Sequence, residues 1–398
     1  MKYQLKRQKA KFSIPRLIGR LLVLLILIAL IPAAYFLPSM LIKGQAADYY
    51  CRNIFQYVSI LPNAINTVFP FSLTEMFVVV GSVSVVVVII GFIVRCGTVA
   101  YHKGIKHMLR HIYTVLRVVA IIGIVAALMF EFMHGINYNR TPVRKTMHLY
   151  GDDRPYEDYE QALLWAYTGM VEARSTLGED YNGVAHMDTS FESIVYDANV
   201  AVSAFSDYHD LGLSPNYIRA KPVMLSHLWR YTEIVGVYDA FLGEANINTD
   251  YMDILHIPIT VCHEIVHAKG YASETDANMI AVLSCINSPR ADFRYAGYFY
   301  IFMRLWGTVR DYAAYDGATM IDYASYDSFN PVRRDLRAYY RYLESFETGP
   351  IAELIARFSE DANNAFLESN GQEGGTDTYV VPHDAYVEYY CRYVRGDA

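Results

Sequence analysis

The residues best suited to do chemistry are two imidazoles and a carboxylate in the run His263-Glu264-Ile265-Val266-His267. On a helix, residues four apart lie on one face. His263 and His267 can therefore both turn a ring toward one metal ion, and Glu264 can reach a water held there. Neutral imidazoles around Zn²⁺, with a carboxylate that takes a proton from water, are the working parts of a zinc hydrolase.

The neighbouring residues supply the helix that this chemistry requires. Pro258 suits a first-turn position, where its missing N–H costs nothing. Gly270 is placed to end the helix in a left-handed conformation. Ile259, Val261, Cys262, Ile265 and Val266 would seat it in a core. Ser273 is a good N-cap for a second helix starting at Glu274. Zinc hydrolases of this kind commonly take a third ligand from an acidic residue on the next helix, and Glu274 fits. Asn278, one turn later, fits a group that holds a ligand histidine in place. Asp276 competes for the ligand role, but it lies about 200° round the helix from Glu274, so both cannot face the ion. Three protein ligands leave a fourth position for water, as in catalytic sites. Glu264 would then be the base, and the oxyanion would need one more donor. Tyr295 is the candidate, with Arg294 and Tyr271 also available.

The stretch HEIVHAKGYASETDAN resembles the zincin signature of a family of bacterial membrane proteins catalogued as a domain of unknown function. Further matching pieces are HGINYNR (His134 to Arg140), GEANIN (Gly243 to Asn248), RYAGY (Arg294 to Tyr298) and the NGQEGG…Y run from Asn370 to Tyr379. The resemblance implies a few transmembrane helices followed by a gluzincin-like metallopeptidase domain, and it supplies no substrate. One departure is Asp276, where glutamate would be expected. By the same resemblance, Glu244, Ala245 and Asn246 are the candidate edge strand that pairs with an extended substrate. A structural strand with a polar turn is the other reading of that segment.

The elements upstream are of another kind. Fifty-three per cent of the 398 residues are apolar, which suggests membrane content. Three runs are long enough to cross a bilayer as helices, at about 17–42, 76–94 and 116–134. A cleaved signal peptide with Ala46-Ala47 as its cleavage area is the alternative for the first. Seven basic residues precede the first span, Lys43 and Arg52 follow it, and five more lie between the second and third. This alternation places the N-terminus inside and everything after the third span outside. Residues 1–136, the membrane domain, carry 14 basic groups against Asp48, Glu75 and Glu131, a net of +11. Residues 137–398, with 20 basic and 38 acidic side chains, carry −18 and make a poor partner for nucleic acid.

Downstream of the spans the pattern predicts helices over Tyr156–Leu177 and Phe191–Phe205. Short strands follow at Val223–Leu225, Ile234–Tyr238 and Ala245–Asn248. Beyond the metal helix, Ala291–Tyr312, Pro331–Phe346 and Ile351–Ser369 read as helices. The fold class expected is mainly α with a small β-sheet. Five cysteines without CxxC spacing give no disulfide framework, and Cys262 reads as buried packing. His209, His227 and His256 read as core or solvated, while His383 could approach the site in space. The function expected is a membrane-anchored, extracytoplasmic zinc metallopeptidase acting on peptide or protein. A silent metal-binding sensor ectodomain is the alternative, disfavoured because metal binding does not need Glu264. A zinc amidase acting on envelope material is a third reading.

Overall fold

Backbone inside a bilayer must satisfy its own hydrogen bonds, so uncharged runs of this length fold as helices. The computed structural model describes residues 14–150, 154–316, 320–346 and 349–397. Three of its helices are long and apolar enough to cross a membrane: α1 (Ile14–Leu41), α5 (Leu73–Lys103) and α6 (Ile105–Met133). Gly104 alone separates α5 from α6, at φ 83°. The loop expected between the second and third spans is therefore helical on both sides of that glycine.

The chain divides into two compact units. The first comprises residues 1–41 and 80–131. Within it, α1 meets α6 through stacked rings of Tyr35 and Phe130, 5.2 Å between centroids. Glu131, the lone acid near the end of α6, accepts hydrogen bonds from the Ser39 hydroxyl and its backbone N–H. The second unit comprises 42–79 and 132–398. Residues 42–72 are three helices rather than a plain loop: α2 (Gln45–Asn53), α3 (Phe55–Val58) and α4 (Ile60–Val68). Ala47, Tyr50, Cys51 and Phe55 from them pack on Ile136 in a small satellite core.

After a 3₁₀ turn over Gly135–Asn139 come α7 (Val143–Thr146), α8 (Tyr156–Ser175) and α9 (Phe191–Tyr208). The sheet follows, with β1 (Lys221–Pro222), a short α10 (Ser226–Trp229), β2 (Gly236–Asp239) and β3 (Glu244–Ile247). Its order is β1-β3-β2, parallel on one side of β3 and antiparallel on the other. Val223–Leu225 is not a strand. Met224 and Leu225 instead donate their N–H groups to the Glu75 carboxylate, at 2.8 and 2.6 Å.

The remaining helices are α11 (Ile257–Ala268), α12 (Glu274–Ile286), α13 (Ala291–Asp316), α14 (Asn330–Glu344), α15 (Pro350–Ser369) and α16 (His383–Tyr389). The main core lies between α8, α9, α11, α12 and α13. Gly297 lets α13 approach α12 closely: a Cβ there would stand 3.0 Å from both the Ile286 nitrogen and the Val282 carbonyl oxygen. Backbone atoms cannot swing aside as a side chain does. Gly297→Ala should therefore destabilise the unit by about 1–3 kcal/mol, read as a lowered Tm of the detergent-solubilised protein.

Candidate metal centre

The site is built from two helices and the turn that joins them. Pro258 sits in the first turn of α11, whose inner face buries Ile259, Val261, Cys262, Ile265 and Val266. Gly270, at φ 105°, ends the helix, and Phe55 fills the space a Cβ there would need. The Ser273 hydroxyl accepts from the Asp276 N–H and caps α12, which begins at Glu274. A carboxylate at that position also suits the positive end of the helix.

This turn brings His263, His267 and Glu274 together, all three buried. His263 Nε2 lies 2.9 Å from His267 Nε2 and 3.0 Å from Glu274 Oε2, and the last two are 3.2 Å apart. Those separations approach the roughly 3.3 Å edge of a tetrahedron whose bonds are about 2.0–2.1 Å, the geometry zinc prefers. His267 Nδ1 donates to the Tyr271 carbonyl at 2.7 Å, which leaves the Nε2 lone pair pointing into the cluster. The donor set, the spacing and the tautomer fit a divalent cation.

A second layer holds the turn in place. Arg140, from the HGINYNR run, donates to the carbonyls of Gly270 at 2.8 Å and Leu211 at 2.6 Å. Its guanidinium lies over the Tyr271 ring, 3.8 Å from the centroid. His134, from the same run, has its ring 5.9 Å from that of His267 and its Nε2 within 3.2 Å of the Tyr138 hydroxyl. Asp276 points away from the ligands and accepts from the Val143 N–H at 2.9 Å. Burial pushes its pKa up to about 6, against the pull of that bond and of Arg140.

Glu264 stands beside the cluster and faces a cavity of about 390 Å³. Burial raises its pKa to about 6, with His263 and His267 pulling down and Glu274 pushing up. One of its oxygens, Oε2, has no hydrogen-bond partner among the described residues. The cavity is walled by Thr232–Gly236, by Ile259, Thr260 and Asn278, by Ala356, Ser359, Glu360 and Asn363 of α15, and by Thr376 and Tyr379. Gly236 opens β2 against Glu264: a Cβ there would come within 2.5 Å of Oε1.

Several expected residues are placed elsewhere. Tyr295 is fully buried and gives its hydroxyl to Asp335 at 2.7 Å, so packing inside α13 keeps it from the cavity. Asn278 lines the cavity, but its amide donates to the Tyr379 carbonyl at 2.7 Å and not to a ligand histidine. Glu244, Ala245 and Asn246 lie on β3, the central and wholly buried strand, so they are not an edge. The physical reason is their polar partners. Glu244 pairs with the buried Lys221 and accepts the N–H groups of Leu73 and Thr74 at the start of α5. Asn246 accepts from the Ser72 hydroxyl. β2 is the strand at the rim of the sheet beside the cavity. His256 and His227 bond to Asp253 and Asp250, and His383 packs on Tyr159.

Tyr379 is the residue that reading from pattern left without a role. It closes the NGQEGG…Y run, where Gly374 and Gly375 take positive φ and deliver a 3₁₀ turn over Gly375–Tyr379. The turn is pinned by Thr275 and Asn278 of α12, which donate to the carbonyls of Thr378 and Tyr379. The Tyr379 ring lies 6.2 Å from that of His263. Burial, and then the charge of Glu274, raise its phenol well above the usual range, so it remains an O–H donor. The run itself was the signal, and only the fold connects it to the site.

Fold and site together define a mainly α protein with three helices able to span a membrane and a buried HExxH…E group able to hold a metal ion. The chain belongs to the DUF3810 family, described as proteins of unknown function, which it matches over residues 50–381. No curated protein matches the chain, and no solved structure does.

The placement of the two acids separates their roles. Glu274→Gln should lower metal affinity at least about tenfold, whereas Asp276→Asn should still bind one equivalent, both read by elemental analysis after dialysis. Burial lowers the pKa of His267, but the charge and hydrogen bond of Glu274 outweigh it, with Glu264 and the Tyr271 carbonyl adding to them, and raise it to about 9. At neutral pH the metal-free cluster thus holds a proton that a cation must displace. Affinity should rise about tenfold per pH unit from 7 toward 9, with proton release visible by calorimetry in buffers of different ionisation enthalpy.

Proposed function

We propose that this protein is a membrane-anchored zinc metallopeptidase that hydrolyses peptide bonds outside the cytoplasmic membrane. The observation that carries the reading is Glu264, a buried carboxylate that lines the cavity beside the His263, His267 and Glu274 cluster and has one oxygen without a hydrogen-bond partner among the described residues. Structural metal binding needs no such group, whereas water activation does.

His263, His267 and Glu274 would hold the zinc. When bound, the ion supplies an acidified water and polarises a substrate carbonyl. Glu264, raised to about 6, accepts the proton of the attacking water and returns it to the leaving amine nitrogen. The Tyr379 hydroxyl donates to the carbonyl oxygen as negative charge develops on it. The rim of β2 offers main-chain groups to an extended peptide, which would enter as a further strand along Gly236–Asp239. The wall of α15, with Ser359, Glu360 and Asn363, faces it from across the cavity.

Two observations support the topology. The N-terminal basic cluster and the basic residues flanking Gly104 fall on one side of alternating spans, as the positive-inside rule requires. Three crossings also put residues 42–72 and everything after α6 on the opposite side, and those segments form one compact unit.

The test compares the full-length protein with Glu264→Gln and Tyr379→Phe, measuring zinc content and cleavage of casein. All three should carry about one zinc. Cleavage should fall by about 10³-fold or more in Glu264→Gln and by about 10²-fold in Tyr379→Phe. Equal cleavage by wild type and Glu264→Gln would refute the reading.

A further inference from the structure

A helix on the surface of a water-soluble unit turns its apolar side inward. In α4 the sides are exchanged. Asn63 and Asn66 point into the protein, where their amides donate to the carbonyls of Tyr217 (2.8 Å) and Leu242. Leu61, Ile65 and Val68, spaced i, i+4 and i+7, face outward and are 68, 47 and 75 % exposed. Such polarity is stable where the surroundings are hydrocarbon.

The chain places this helix just before one that is long and apolar enough to cross a membrane. Val68 ends α4, Leu73 begins α5, and the uncharged run of α5 starts at Met76. Glu75, in the first turn of α5, binds the N–H groups of Met224 and Leu225. Met224 and, one turn on, Leu228 are 69 and 58 % exposed. Both are apolar, and Met224 lies next to the point where the spanning run begins.

The same segment leads to the cavity. Leu228 is followed by Trp229 and by the 3₁₀ turn Arg230–Thr232, and Thr232–Gly236 form one wall. A second wall, α15, packs on that turn. It directs Ser359, Glu360 and Asn363 to the cavity and leaves Ile351, Leu354 and Phe358 outside at 75, 67 and 74 % exposure.

We propose that the outward face of α4, with Met224 and Leu228, lies in the headgroup and acyl boundary of the lipid bilayer. The mouth of the cavity then opens at the membrane surface. Resting on the peptidase reading above, the substrates are polypeptides held at that surface rather than freely diffusing ones.

The test uses the full chain in vesicles of phosphatidylcholine and phosphatidylglycerol, with Cys96→Ser to remove the one native thiol that is not buried. Nitroxides are attached singly at Leu61→Cys, Val68→Cys and Leu228→Cys, and at Tyr181→Cys, which is 97 % exposed, as the aqueous reference. Collisions with oxygen should dominate over those with a water-soluble nickel chelate at the first three positions and not at the fourth. Nickel collisions matching those at position 181 would overturn the proposal. So would protection from both reagents, which would mean that protein and not lipid covers the face. In the same vesicles, a peptide bearing a lipid anchor should be cut about tenfold faster or more than the identical free peptide, through its raised local concentration. Equal rates would overturn the substrate class. If neither peptide is cut while the nitroxides report lipid, the peptidase reading fails and the membrane contact stands.

Discussion

Three electron-rich atoms, two imidazole nitrogens and a carboxylate oxygen, converge within about 3 Å of one another in a buried place. Without a positive charge between them their lone pairs would repel, and low surrounding polarity strengthens that repulsion. Much of the second unit serves to impose this convergence. α11 sets the histidines one turn apart, and the Gly270 turn reverses the chain within a few residues. The Ser273 cap starts α12 so that Glu274 faces back, and Arg140 locks the turn by gripping the carbonyl of Gly270. The HGINYNR run lies more than a hundred residues upstream, yet Arg140 and His134 both reach this one place.

The local parts of this arrangement were legible because each is a signal within a few residues. Pro258, the i, i+4 histidines, Gly270 and Ser273 name a helix, its candidate ligands, its end and the next cap. The three long apolar helices were legible because a bilayer dictates length and composition. What could not be read depends on distant partners. Glu244 and Asn246 look like an exposed polar strand, but Lys221, Ser72 and Thr74 satisfy them in the middle of the sheet. Tyr295 looks available among many tyrosines, but Asp335, forty residues later, takes its hydroxyl. Tyr379 is more than a hundred residues from His263, and anchoring by Thr275, Asn278 and Asn364 brings it near. Gly236 carries no chemistry of its own, and its meaning is the room it leaves for Glu264.

Polarity divides the surroundings of the site in a consistent way. Aliphatic side chains of α9 and α12 pack behind α11, and the cavity beside the cluster is walled by β2, α15 and the Tyr379 turn. Glu264 sits at the boundary, buried enough for its carboxylate to be raised and near enough to the opening to meet a ligand. A proton-transfer group needs both conditions, since full solvation would return it to the ordinary carboxylate range.

Residues 42–79 belong to the same compact unit as the candidate metal centre, although they comprise the segment between α1 and α5 and the start of α5. Phe55 supports the Gly270 turn, and Ser72, Leu73 and Thr74 satisfy the buried polar groups of β3. A cut in the stretch just after the third span would therefore not shed a working domain. The released piece would leave behind part of its own core, with Glu244 losing Leu73 and Thr74 and Asn246 losing Ser72 and Thr74. The segment between α1 and α5 and the candidate metal centre are thus held together by shared packing as well as by the covalent chain.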